Sequence, residues 1–118
     1  VVILAGYTQE MKDCLRMNPG LRSRFPHVIE FADYGLEDLL DIMNRLCEAR
    51  GYVLSHGCRY GLQRIFAAAE KQQDFGNGRY VRNILEGAIN NQALRLSRKT
   101  AHTREELVTI EPEDLEEL

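Results

Sequence analysis

Two arginine elements are the residues of this chain best suited to chemistry. The first is Asn18-Pro-Gly-Leu-Arg-Ser-Arg-Phe-Pro26, which sets Arg22 and Arg24 two positions apart between stiff turn residues. The second is Gly76-Asn-Gly-Arg-Tyr-Val-Arg82, with Arg79 and Arg82 three positions apart. A guanidinium stays charged and offers a planar fork of donors that matches phosphate oxygens, so the chemistry indicated is the handling of an anionic phosphate. Pro19-Gly20 and Phe25-Pro26 restrict the backbone around the first pair and so limit where its side chains point. Arg79 and Arg82 share a face at the start of a predicted helix, where free N–H groups and the positive pole of the macrodipole favour anions. Plainer accounts stand beside these. Arg22 and Arg24 have the composition of surface arginines paired with Asp or Glu. Arg79 and Arg82 could be a solvated basic face paired with the acidic tail.

Other constellations are weaker. His27, His56 and His102 are scattered without metal-ligand spacing. Cys14 has no base nearby in sequence that would make it a nucleophile. There is no G-x-x-x-x-G-K-[ST] phosphate loop and no apolar run ending in paired acids for Mg²⁺, so this stretch is not expected to hydrolyse a nucleotide unaided.

The 118 residues leave room for about one domain. A formal net charge of −3 argues against a generic nucleic-acid binder. The charge is uneven: Arg79, Arg82, Arg95, Arg98, Lys99 and Arg104 precede a tail holding Glu105, Glu106, Glu111, Glu113, Asp114, Glu116 and Glu117. A basic helix with an acidic terminus folding back on it fits that order. The three cysteines, Cys14, Cys47 and Cys58, read as reduced thiols of a cytoplasmic protein, with Cys47 on an apolar helix stripe. No apolar run approaches the ~18 residues of a membrane span, and no signal peptide is expected.

The elements that must position the arginines follow from periodicity. Val1–Ala5 is a continuous β-branched run, expected as a strand covered on both faces, which would make the chain a piece of a larger α/β protein. Thr8 is expected to cap a short helix to about Met17, ended by Asn18-Pro19-Gly20. Leu21–Phe25 reads as a helical turn or loop, His27–Phe31 as a second strand, and Asp33–Gly35 as a hinge with Phe31 and Tyr34 packed around it. Met11, Met17 and Met43 read as core or near-core. Leu36, Leu39, Leu40, Met43, Leu46 and Cys47 then form a helical stripe, with Gly51 just past its end. Ser55 is expected to cap a second helix carrying Leu62, Ile65, Phe66 and Ala69, weakened by Gly57 and Gly61. After a polar loop over Gln72–Gly78, a third helix from about Asn77 to Arg98 carries Val81, Ile84, Leu85, Ala88, Ile89, Gln92 and Leu96. Val108–Ile110 reads as a short extended segment, and Glu111-Pro112 opens a last helical turn. The fold class expected is mainly α: a strand-helix-strand remnant of an α/β core over 1–34, then a helical bundle over 35–118.

In this order the motifs resemble the C-terminal half of an AAA+ ATPase module. Val1-Val-Ile-Leu-Ala-Gly-Tyr7, Asn18–Pro26, Ile29-Glu-Phe-Ala-Asp-Tyr34 and Asn77-Gly-Arg-Tyr-Val-Arg-Asn83 are similar to the branch containing stage V sporulation protein K and the red-type Rubisco activases. The resemblance implies that ATP with Mg²⁺ sits between a large α/β subdomain and a small helical lid, and that identical subunits form a ring, commonly a hexamer, which remodels a protein substrate. No nucleotide is expected to stay tightly bound to this stretch alone. Arg24 matches the arginine finger that reaches the next subunit's γ-phosphate, with Arg22 its neighbour. Gly78-Arg79 matches the sensor-2 motif of the lid, with Arg82 a second candidate. Val1–Ala5 matches the strand leading to sensor 1. There the chain departs from the commoner small polar residue and has Gly6-Tyr7, so that the Tyr7 hydroxyl would substitute. The competing reading is a stand-alone helical protein-interaction module without nucleotide chemistry.

Overall fold

A computed structural model describes residues 1–71 and 76–118, and Val1–Asp33 and Tyr34–Leu118 form two separate compact units.

In the first unit, helix α1 runs Thr8–Met17 and helix α2 runs Pro19–Arg24. Tyr7, not Thr8, is the residue flanking α1, and no side chain caps it. Asn18 separates the two helices. Its Nδ2 donates to the Cys14 carbonyl at 3.0 Å, satisfying one of the open carbonyls of the last turn of α1. Pro19 then supplies a preset φ at the first position of α2. The strands expected over Val1–Ala5 and His27–Phe31 are not formed; both segments are irregular and exposed. A strand satisfies its N–H and C=O groups only through a neighbouring strand, and neither segment has one among the described residues. Met17 and Phe31, expected to pack, are exposed as well.

The second unit is a helical bundle. Helix α3, Leu36–Arg50, buries Leu39, Leu40, Met43 and Cys47, with Leu36 and Leu46 half-buried beside them. Gly51 ends it with φ 77°, a left-handed conformation that only glycine adopts without strain, while its N–H donates back to the Glu48 carbonyl. Tyr34, expected to pack at the hinge, is 48% exposed. A two-residue strand β1, Val53–Leu54, pairs in parallel with β2, Thr109–Ile110, in the register Val53 to Thr109 and Leu54 to Ile110. The extended segment near Val108–Ile110 is therefore real, but its partner at Val53 carries no signal in so short an apolar run.

Helix α4, Cys58–Glu70, follows Gly57; Ser55 does not cap it through its side chain, and the Ser55 carbonyl instead accepts the Cys58 N–H at 3.1 Å. Helix α5, Gly78–Leu96, buries Val81, Ile84, Leu85, Ala88, Gln92 and Leu96. Of the polar loop expected over Gln72–Gly78, residues 72–75 lie outside the described residues, Gly76 and Asn77 form the turn, and Gly78 is already helical. Helix α6, Arg104–Val108, opens with a reciprocal cap in which Thr103 Oγ1 accepts the Glu106 N–H and the Glu106 carboxylate accepts the Thr103 N–H. A 3-10 turn, Pro112–Leu115, closes the element order with Pro at its start.

Leu39, Leu40, Met43 and Cys47 of α3, Cys58, Leu62 and Phe66 of α4, Val81, Ile84, Leu85 and Ala88 of α5, and Ile110 and Leu115 make one core. The tail folds back as the charge pattern implies. Asp114, 1% exposed, accepts from Arg95 Nε at 2.9 Å and Nη2 at 3.0 Å, and Lys99 pairs with Glu106 at 2.7 Å. Gln92 donates to the carbonyls of Thr109, Leu107 and Glu106 at 2.8, 3.1 and 3.3 Å. Gly57 and Gly61 have a packing reason. A Cβ at Gly57 would lie 2.6 Å from Pro112 Cγ, and one at Gly61 would lie 3.3 Å from Leu115 Cδ1. Both glycines are where the returning tail rests, and only Gly61 lies within α4, Gly57 standing just before it rather than in its first turns as expected.

Candidate functional site

The structure distributes the sequence-predicted site residues over both units. Arg22 and Arg24 lie in the last turn of α2, exposed, with no ion pair among the described residues. Cations at a helix C-terminus are favoured by the negative pole of the macrodipole, so this placement costs little without any ligand. Ser23, between them, turns inward along the backbone and donates to the Gly20 carbonyl at 3.0 Å. Tyr7 is exposed at the start of α1, and its carbonyl accepts the Met11 N–H at 2.9 Å.

Gly78, Arg79 and Arg82 are together in the second unit, in the opening turns of α5. Both arginines are exposed, and neither pairs with an acid among the described residues. The acidic tail engages Arg95 and Lys99 instead. The Asp114 carboxylate, by its hydrogen bonds and charge, holds the Arg95 guanidinium still further above its ordinary value. The Lys99 ammonium and the Thr103 N–H hold the Glu106 carboxyl below the usual range. Two guanidinium groups at a helix N-terminus, with no acidic partner among the described residues, can receive an anion from solution. Metal ligation is not suggested: no group of three or more His, Cys, Asp or Glu that could hold a metal ion occurs among the described residues.

Sequence reasoning missed Asn77. Its side-chain Oδ1 accepts the Tyr34 backbone N–H at 2.8 Å, joining the start of the second unit to the start of α5. An Asn between two glycines signals a turn, but nothing in sequence names a partner 43 residues away. Elsewhere, a cavity of about 230 Å³ is lined by Leu40, Asn44, Leu54, Ser55, His56, Arg59 and Leu62. Arg59 there is already engaged by Glu37 at 3.0 Å.

The description "AAA lid domain" belongs to the family whose pattern matches residues 36–118, nearly the whole second unit. The chain belongs to the AAA lid domain family. Among curated relatives it is 39% identical over 118 residues to stage V sporulation protein K of Bacillus subtilis, covering 98% of this chain and 37% of that protein. It is 40% identical over 117 residues to a CfxQ homolog of Trieres chinensis, covering 98% of this chain and 40% of the relative. It is 38% identical over 96 residues to CbbX of Cereibacter sphaeroides, covering 81% and 31%. The chain thus spans two fifths or less of the length of these relatives. The lid assignment accounts for the mainly α fold, and the second unit is the lid portion of an AAA+ ATPase. The first unit precedes the matched residues.

Proposed function

We propose that residues 1–34 are the C-terminal part of an AAA+ nucleotide-binding core, and that each unit supplies residues that act in ATP hydrolysis by the longer protein. The observation that carries this reading is the pair of exposed guanidinium groups, Arg79 and Arg82, at the N-terminus of α5 in a domain of the AAA lid family. In this reading Arg79, presented by Gly78, contacts the phosphates of ATP, with Arg82 beside it, and ties nucleotide state to lid movement. Arg24, with Arg22 next to it, reaches the γ-phosphate held by a neighbouring copy, and Tyr7 stands at sensor 1. Mg²⁺ enters with the nucleotide, on ligands this chain does not supply. The subunits form a ring, taken as a hexamer, that remodels a protein substrate in the cytoplasm. No helix among the described residues is long and apolar enough to cross a membrane.

The roles of this chain's residues follow from charge and position. Two permanently charged guanidinium groups stabilise negative charge that grows on the transferring phosphoryl group, which is worth roughly 10³–10⁵ in rate for an arginine finger. A helix N-terminus adds backbone donors without reorganisation. The test is steady-state ATP hydrolysis by the full-length protein. Arg79→Ala and Arg24→Ala should each reduce turnover severely. Mixing Arg24→Ala subunits with subunits lacking the phosphate-loop lysine should restore part of it, because an intact finger and an intact loop then meet at some interfaces. Near-normal turnover in both single variants would remove the assignments.

A further inference from the structure

Asn77 is held in an unusual backbone conformation and does two jobs at once. Its φ is 48° and its ψ −114°, and Gly76 before it has φ 87°. Positive φ is uncommon for a residue with a Cβ, and Asn is among the few that tolerate it. Two such residues in succession turn the chain sharply into α5. The Asn77 carbonyl accepts the Val81 N–H at 3.1 Å, a helix-opening bond, while its side chain accepts the Tyr34 N–H at 2.8 Å. One residue therefore belongs to the helix through its main chain and to the start of the unit through its side chain.

The groups on either side are themselves fixed. Tyr34 is the first residue of the second unit and precedes Gly35, whose N–H is accepted by Asp38 and whose carbonyl accepts the Leu39 N–H. Past Asn77, the Arg79 N–H donates to the Gly76 carbonyl at 3.0 Å. The Tyr80 ring meets the buried Phe66 ring edge-on at 6.4 Å. The Asn77 side chain thus links Tyr34, at the start of the second unit, to the first turn of α5 that carries Arg79.

We infer that Asn77 is a positioning residue that acts through Arg79: its hydrogen bond to the Tyr34 N–H fixes the start of α5, and with it the arginine, in register with the unit boundary. The inference rests on the role given to Arg79 above. Asparagine meets the two requirements together, a backbone with positive φ and a neutral acceptor. Glycine would keep the backbone and lose the acceptor. Aspartate would keep the backbone and an acceptor but add negative charge beside an anion site.

The test uses the full-length protein with ATP, measuring hydrogen exchange at the Tyr34 amide and nucleotide affinity. In Asn77→Gly the Tyr34 amide should exchange at least about fivefold faster, and ATP should bind about fivefold more weakly, the effect of losing one neutral hydrogen bond of about 1 kcal/mol at 1.4 kcal/mol per tenfold. The Asn77→Gly/Arg79→Ala double variant should bind ATP no more weakly than Arg79→Ala alone, because the link has nothing left to position. Asn77→Asp should keep the Tyr34 amide protected while weakening ATP binding, and it reports on the link should the glycine variant fail to fold. Unchanged Tyr34 exchange in Asn77→Gly, faster exchange but full additivity with Arg79→Ala, or exposure of the amide in Asn77→Asp each overturn the inference. If Arg79→Ala itself leaves ATP affinity intact, the functional reading fails and the positioning role falls with it, which is a separate and recognisable outcome.

Discussion

Replacing Asp114 tests how the tail is held. The carboxylate is 1% exposed and receives three donors: Arg95 Nε at 2.9 Å, Arg95 Nη2 at 3.0 Å and the Glu111 N–H at 2.9 Å. Hydrogen bonds to charged groups contribute roughly 1.5–3 kcal/mol each, and a cap of this kind adds about 1 kcal/mol. The sum is an upper bound, because Arg95 keeps 26% of its side chain exposed and water can serve the guanidinium once the acid is gone. Asp114→Ala should therefore cost about 3 kcal/mol, and lower Tm by roughly 10–20 °C for a domain of this size. Arg95→Met keeps the aliphatic stem but strands a buried carboxylate, and should cost a similar ~3 kcal/mol. The double variant should cost about 2 kcal/mol less than the sum of the two. Urea unfolding followed by circular dichroism supplies all three values. A coupling under about 0.5 kcal/mol would put this pair with ordinary surface ion pairs and refute the burial argument.

Further outcomes follow from the same packing. Burial, reinforced by the neighbouring Cys58, pushes the Cys47 thiol up from 9.0 to about 11. Between those values the unfolded chain releases a proton that the folded chain retains, so stability should fall as pH rises through that window. The full effect is roughly 2–3 kcal/mol, read as a pH-dependent loss in urea midpoint that shrinks in Cys47→Ala, with a remainder from Cys58, whose thiol burial also raises. Native-state alkylation followed by mass spectrometry should modify exposed Cys14 quickly and reach buried Cys47 and Cys58 only with denaturant. Gly57→Ala should destabilise by about 1–3 kcal/mol, because its Cβ would meet the rigid Pro112 ring at 2.6 Å. Gly87→Ala should be neutral or stabilising by up to about 1 kcal/mol, because the atom it meets, Leu118 Cδ2 at 2.7 Å, ends a flexible side chain. Thermal melts should fall for Gly57→Ala and hold or rise for Gly87→Ala.

The sequence by itself determined the three long helices and their buried faces. Every residue of the stripes on α3, α4 and α5 is buried or half-buried, because an apolar face repeating at 3.6 residues has one way to leave water. Gly51 and Pro112 marked a helix end and a helix start by local backbone preference alone. It also determined that the arginines at 79 and 82 share an α5 face. What it misplaced was whatever depends on a distant partner. Val1–Ala5 and His27–Phe31 have the composition of strands, but strand character is completed by a neighbour, whereas a helix satisfies its backbone within itself. The same reason hid the β1–β2 pairing, the contacts of Gly57 and Gly61 with the tail, and which acids pair with which bases. Charge pattern gave a tail folding back; only packing decided that Asp114 takes Arg95, that Glu106 takes Lys99, and that Arg79 and Arg82 are left facing solvent. Asn77 shows the limit most plainly, since its turn is written in its neighbours and its hydrogen bond to Tyr34 exists only once the bundle has brought together residues 43 positions apart.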